Sequence, residues 1–540
     1  MNRFLTLLCL ALLAGCQPPT GEADLIVFNA RVYTVDSSFS KAEAFAVRNG
    51  EFLAVGSNDS IRAAYAAPWM LDAGGKTIVP GLIDAHCHFL GLGLDQELVN
   101  LVGTTSFEAI LDSLSAAYQA TRPDYLMGTG WDQNDWEVKE FPDKKALDSL
   151  FPDIPVALVR VDGHALLVNQ RTLDLAGITG ETRVPGGEVV LENGEPTGIL
   201  VDTPMDLVYR QWPVPDKQAL IRALQRAEAL CLENGLTTVN DAGLGRGEIE
   251  LIDSLQQAGE LSIRVYAMVS NTPENLDYFL ERGIYKTPKL NVRSVKVYAD
   301  GALGSRGAAL KAPYSDQPGH YGAMITPAED LEALARRIAA AGYQMNTHAI
   351  GDSANVAVLR AYTRALEGID DSRWKVEHAQ IVDTEDIGLF SPKILPSVQP
   401  THATSDMYWA EDRLGPERME GAYAFQKLLE ASGLVALGTD FPVEKVNPMD
   451  TFYAAVARMD AEGYPEGGFQ MNDALTREQA LKGMTRWAAY SNFTEGEKGS
   501  IEAGKRADFV ILGGDLMELP PRQLRDIRVT DTFIDGVKVY

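Results

Sequence analysis

Eight short apolar runs recur along the middle of the chain, and their spacing is the strongest constraint on its fold. They are TIVPGLIDAH, LTTVNDAG, IRVYAMVS, VRSVKVYADG, YQMNTHAIG, WKVEHAQ, ILPSVQP and LVALGTDFP. Runs of this length suit buried strands. Helical stretches such as DLEALARRIAAA and SANVAVLRAYTRALEG fall between some of them. Alternation of this kind predicts a parallel sheet, and eight units predict an α/β chain with a (β/α)8 TIM-type barrel. The first connection, from about Phe89 to Gly235, is too long for a loop. It carries its own strand-like pieces, YLMGTGWD and VALVRVDGH, and a Gly-rich hairpin, GGEVVLENGEPTGIL. An inserted subdomain at about 95–215 is expected after the first barrel strand. The two ends of the chain, ADLIVFNARVYTVD with AFAVRNGEFLAVGS and GSIEAGKRADFVILGGD with VTDTFIDGVKVY, alternate apolar and polar residues between turn signals. Residues 24–76 and 496–540 are therefore expected to pair into one small β-sandwich module, leaving 77–495 to the barrel.

Polar residues gather where the apolar runs stop. His86 and His88 end the first run, Asp241 the second, Lys296 and Asp300 the fourth, His348 the fifth, His378 the sixth and Asp440 the eighth. A barrel brings all its strand ends to one face, so residues far apart in sequence converge there. Side chains two apart on a strand share a face, so HCH aims two imidazoles into one space and turns Cys87 away. A lone histidine on an apolar run is usually a satisfied core residue. Four of the seven histidines in the chain end strands in this way, which favours a metal site. Neutral imidazoles with a carboxylate suit Zn²⁺ or a similar first-row ion. Lys296 is the anomaly, since an ammonium repels a divalent cation.

The charge balance narrows the partners. Lys+Arg 48 against Asp+Glu 75 leaves a net charge of −27. Such a chain repels nucleic acid and anionic head groups, and no basic run offsets that. The N-terminus, MNRFLTLLCLALLAGCQ, has one early Arg and an apolar stretch too short to span a bilayer. Its LAGC resembles a bacterial lipobox. Residues 1–15 are then expected to be a signal peptide, with Cys16 the lipidated first residue and 16–23 a tether. Gln17 resembles the outer-membrane-directed form, which places the protein in the cell envelope facing the periplasm. The membrane contact expected is this anchor alone. Cys87 and Cys231 are the cysteines left over, so there is no disulfide framework, and Cys231 reads as core.

PGLIDAHCH, SVKVYADGALGSRGAAL, NTHAIGD, KVEHAQ, ALGTDFPV and GSIEAGKRADFVIL together resemble the amidohydrolase superfamily. The specific likeness is to its amidohydrolase-3 branch, which includes N-substituted formamide deformylases. The resemblance implies two divalent ions, zinc with manganese or iron as alternatives. In that family the lysine is carboxylated by CO₂ and bridges the two ions, which would remove the anomaly at Lys296. By the resemblance His86, His88 and Asp440 hold one ion, His348 and His378 the other, and Lys296 bridges them. A hydroxide between the ions would be the nucleophile, and Asp440 would orient it and carry its proton to the leaving nitrogen.

Substrate contacts are less defined by pattern. GWDQNDW (Trp131, Asp132, Trp136) and VDGHALLVN (Asp162, His164, Asn169) resemble family segments near the mouth of the site. Trp131 either meets substrate or is packing, and His164 either faces the pocket or braces a turn. Arg306, in the Gly-rich segment after the fourth run, either meets an acidic or carbonyl group or is a solvated surface residue. His402 follows the seventh run at a position that often touches substrate. His320 reads as a loop residue and Asp241 as structural. The expected activity is hydrolysis of a non-peptide amide, formamide or cyclic amide, with a small-molecule substrate. A lactonase or esterase on the same site, or a binding lipoprotein without chemistry, are the alternatives.

Overall fold

The computed structural model describes residues 21–540, so Cys16 and the segment around it lie outside the described residues. No described helix is long and apolar enough to cross a membrane.

Eight parallel strands form the central sheet in the order of the sequence. They are β1 (Leu82–Cys87), β2 (Leu236–Leu244), β3 (Arg264–Ser270), β4 (Leu290–Tyr298), β5 (Gln344–Ala349), β6 (Trp374–His378), β7 (Ile394–Val398) and β8 (Ala436–Leu437). β8 is two residues long, and the ring is drawn together beyond it. Gly438 N–H donates to the Val398 carbonyl at 3.1 Å and Asp440 N–H to the His86 carbonyl at 2.8 Å. Helices such as Arg246–Ala258, Ala328–Ala340 and Asp352–Ala365 cover the outside. Between β6 and β7 only a 3₁₀ turn, Ile387–Leu389, replaces the expected helix.

The first apolar run divides. Thr77–Pro80 leaves the barrel and pairs antiparallel with Phe509–Leu512 and parallel with Arg31–Val32, while Leu82–Cys87 stays as β1. Gly81 marks the crossing, where a Cβ would overlap the Thr237 side chain and the Gly81 N–H reaches the Asp508 carbonyl. The terminal module has a six-stranded sheet and a four-stranded sheet built from both ends of the chain. Phe45, Phe52, Phe509 and Phe533 pack between them, with Phe45 and Phe509 edge to face at 4.9 Å. Arg264, at the start of β3, fastens the barrel to this module through Asp508 (2.7 and 2.9 Å) and Asp535 (2.6 Å).

Between β1 and β2 the chain builds a separate six-stranded mixed sheet, in the order Val99–Asn100, Leu126–Trp131, Val156–Arg160, Ala165–Val168, Glu195–Asp202 and Gly187–Glu192. Two helices frame it in sequence: α1 (Phe89–Asp95), which leaves β1, and α2 (Lys217–Glu233), which leads into β2.

Candidate metal centre

Asp440 is the hub of the site. It follows β8 in the left-handed region (φ 62°), and its two carboxylate oxygens face different histidines. Oδ1 lies 3.6 Å from His86 Nε2 and 3.3 Å from His88 Nε2, whereas Oδ2 lies 3.9 Å from His378 Nδ1 and 3.8 Å from His402 Nε2. His86, His88 and Asp440 form one group whose donor atoms could hold a metal ion, and His378, His402 and Asp440 form another. His348 sits beside them, its ring 4.5 Å from that of His378. Asp440 Oδ1 and His402 Nε2 are buried with no hydrogen-bond partner. Buried polar atoms are rarely left so. Four imidazoles and two carboxylate oxygens, two of these atoms orphaned, are a donor set that divalent zinc would satisfy.

Local structure explains the convergence. His86 is still in β1, but His88 has left it and occupies the N-cap position of α1. Both rings nevertheless reach Asp440, while Cys87 between them turns its thiol to the Asn240 carbonyl. His378 ends β6 with φ 71°, outside the strand's alternation. His402 lies in the first turn of α3 (Pro400–Asp406), preceded by Gln399, whose Oε1 is 2.7 Å from His378 Nδ1. The structure thus brings His402 to Asp440 Oδ2 alongside His378, a place that sequence reasoning gave to substrate.

Electrostatics keep the donors available. Burial and the nearby Lys296 push His86 down to about 4. Burial lowers His348 and His378 as well, each assisted by a neighbouring imidazole. For Asp440 burial acts upward, yet the close His88 imidazole and the other imidazoles around it hold it well below the usual carboxylate range. Lys296 Nζ stands 3.0 Å from His86 Nε2, and burial lowers it to about 8.

Several residues support these donors. Glu377, fully buried, lies 2.7 Å from His86 Nδ1 and 3.3 Å from Lys375 Nζ. Burial would raise it, but Lys375 and His86 hold it far below the ordinary range. A carboxylate on the far nitrogen fixes the tautomer and orientation of a ligating imidazole. Asp84 accepts from Thr439 N–H and Oγ1–H and from His86 N–H, tying the seam to β1. Asp300 accepts three backbone N–H groups, from Ala309, Ile350 and Gly351, and is a brace.

The four substrate candidates fare differently. Trp131 is a packing residue: it is fully buried in the core of the insertion and its indole donates to the Leu158 carbonyl at 2.8 Å. Trp136 packs beside it. Arg306 is paired with Asp316 at 2.8 Å, a carboxylate that Arg413 also holds. His320 Nε2–H donates to the Arg306 carbonyl at 2.8 Å and belongs to that loop. His164 reaches the site, its ring 4.9 Å from that of His348, with Nδ1 2.6 Å from Asp202 Oδ1. His402 is at the hub. Asp132 and Asp162 hold the buried Arg160, and Asn169 caps the helix Gln170–Ala176, so these are structural.

Comparison with known proteins finds relatives over nearly the whole chain. The model of the amidohydrolase family matches residues 70–540. The sequence is 32% identical to YtcJ of Bacillus subtilis (strain 168), covering 94% of this chain and 98% of that one. It is 27% identical to an N-substituted formamide deformylase of Arthrobacter pascens, covering 96% and 99%. Among solved structures, an uncharacterized metal-dependent hydrolase from Pyrococcus horikoshii OT3 superposes with a TM-score of 0.74 at 26% identity, over 92% of this chain and 99% of the other.

Proposed function

The chain belongs to the amidohydrolase family, and on that premise we propose that it hydrolyses the C–N bond of a small non-peptide amide, formamide or cyclic amide with two divalent ions in its barrel mouth. The observation that carries this reading is the placement of Asp440, each of whose oxygens faces its own pair of imidazoles. His86 and His88 would serve one ion and His378 with His402 or His348 the other. Lys296, once carboxylated by CO₂, would add an anion between them. Bound divalent ions would supply Lewis acidity, polarising the acyl carbonyl and lowering the pKa of water.

The chain's own groups do the rest. Asp440, held as a carboxylate at the centre of the site, would take a proton from the attacking water and return it to the leaving nitrogen. Glu377 keeps the His86 Nδ1 proton in place, so that Nε2 presents its lone pair.

The test is a hydrolysis screen of zinc-reconstituted protein against N-acyl amines, formamides, lactams, esters and lactones, with metal content measured in parallel. Turnover of amides with about two ions per chain is the expected result. Hydrolysis of esters and lactones alone would overturn the C–N assignment, and retention of no metal would overturn the site.

A further inference from the structure

Residues 63–71 of the terminal module read AAYAAPWML, nine residues without a charge, and none of them is buried. Trp69 is 66% exposed and Met70 48%. Both lie in Trp69–Asp72, the outer strand of the four-stranded sheet, whose one neighbour there is Leu25–Phe28. Open strand edges are normally blunted by charged side chains, and here the only charge on the strand is Asp72 at its end. A contiguous exposed apolar stretch of this kind marks a contact surface. The first described residues lie against the same stretch. Gly21 and Glu22 pair with Tyr65 and Ala66, a Cβ at Gly21 would overlap the Tyr65 ring, and the Ala23 N–H donates to the Ala66 carbonyl at 2.9 Å.

We propose that residues 63–71 dock on a zwitterionic lipid bilayer, a second membrane contact beside a lipidated Cys16. This rests on the lipobox reading of LAGC, which by itself left the anchor as the one contact. Cys16 lies five residues before Gly21, so the chain between them spans at most about 18 Å. A lipid on Cys16 therefore keeps the surface around Tyr65 within that reach of the head groups. Trp favours the boundary between head groups and acyl chains, and a second contact strengthens a lipid anchor. The net charge of −27 turns the chain away from anionic lipid. An uncharged face bracketed by Arg62 and Asp72, which are opposite in sign, meets a zwitterionic surface without that repulsion.

The test uses the full chain, extracted in mild detergent and reconstituted into vesicles of phosphatidylethanolamine and phosphatidylcholine. Part of the lipid carries brominated acyl chains, which quench any tryptophan that reaches them. The chain has seven tryptophans, so Trp69→Phe sets the background from the others. Brominated lipid is expected to quench the wild type, and Trp69→Phe is expected to lose that quenching. Met70→Glu keeps Trp69 but puts a charge into the stretch, so it should lose the quenching as well. The Tm of both variants should match the wild type, because both side chains are exposed. Mass spectrometry of the mature N-terminus and sedimentation are run on the same samples. On a chain lipidated at Cys16, quenching that is absent, equal in Trp69→Phe or undiminished in Met70→Glu would overturn the docking and leave the anchor standing. A dimer that depends on Trp69, with no quenching by lipid, would give the edge to a second copy instead. A mature chain without lipid on Cys16 would overturn the second contact together with the anchor.

Discussion

At His86 the two ring nitrogens have different neighbours: Glu377 Oε2 at 2.7 Å from Nδ1 and Lys296 Nζ at 3.0 Å from Nε2. As an ammonium, Lys296 occupies the lone pair that a metal needs and repels the metal as well. As a carbamate it would be an anion in the same place. Lys296→Ala is therefore expected to lose most activity, and short carboxylic acids that fill the vacated space should restore part of it. Asp440→Asn keeps the shape and one oxygen but accepts no proton, so its metal content should survive better than its turnover, and added acid should not help. Activity and metal content of both variants, with and without acid, decide the matter. A Lys296→Ala protein with full activity and full metal content would remove the bridging role. Strand ends in the sequence pointed to His86, His348, His378 and Asp440, because a polar residue that stops an apolar run is a readable signal. Glu377 was not readable. Neighbours on a regular strand face opposite ways, and only the left-handed backbone at His378 lets both residues reach His86. Asp202 was hidden for another reason, since nothing local links it to a histidine 38 residues earlier.

Helix α1 begins on a metal-site residue and has no side-chain cap of its own. Asp241, from the adjacent β2, accepts the N–H groups of Phe89 and Leu90, each at 3.1 Å. A strand neighbour thus does the capping that Ser or Asp usually does from within the helix. Further along, Gly93 lets α1 lie against α2, where a Cβ would overlap the Ala223 carbonyl. His88 is held between these two fixtures. Removing the cap should cost about 1–2 kcal/mol of stability and let His88 drift from Asp440. Asp241→Ala is therefore expected to lower Tm and weaken zinc retention together, as read by calorimetry and chelator competition. A variant that lost stability but held zinc as tightly as the wild type would show that α1 does not set His88. Such contacts between elements are what the sequence shows least: Asp241 read as structural, but its partner helix did not.

At the scale of the whole molecule, the barrel and its insertion were legible because each apolar run is long enough to be recognised alone. The division of the first run was not, since Thr77–Pro80 and β1 are both apolar and only Gly81 separates them. The junction of barrel and terminal module also holds a buried amine. Lys498 Nζ donates to Thr238 Oγ1 at 3.1 Å, and burial together with nearby Arg264 lowers it to about 7. In the unfolded chain a lysine keeps its proton to about pH 10.4. Between these values the unfolded state binds more protons than the folded one, so stability from this group rises with pH from about 7 to 10. The slope is at most about 1.4 kcal/mol per unit. Lys498→Met should flatten that rise, so wild type should gain on the variant between pH 7 and 9 in denaturant unfolding at fixed zinc. Parallel curves for the two proteins would mean that the amine is solvated.

The pairing of Thr77–Pro80 with Phe509–Leu512 also sets a clock on biosynthesis. About 430 residues separate the two strands, and a ribosome adding about 5–20 residues per second needs about 20–90 s to deliver the second after the first. Throughout that interval the apolar strand entering β1 has an open edge, and the Phe45–Phe509 contact has one ring only. The nascent chain is therefore most dependent on chaperones just before it is finished, and a ribosome that stalls near the 3′ end of the message would release a nearly complete barrel that is still prone to aggregate.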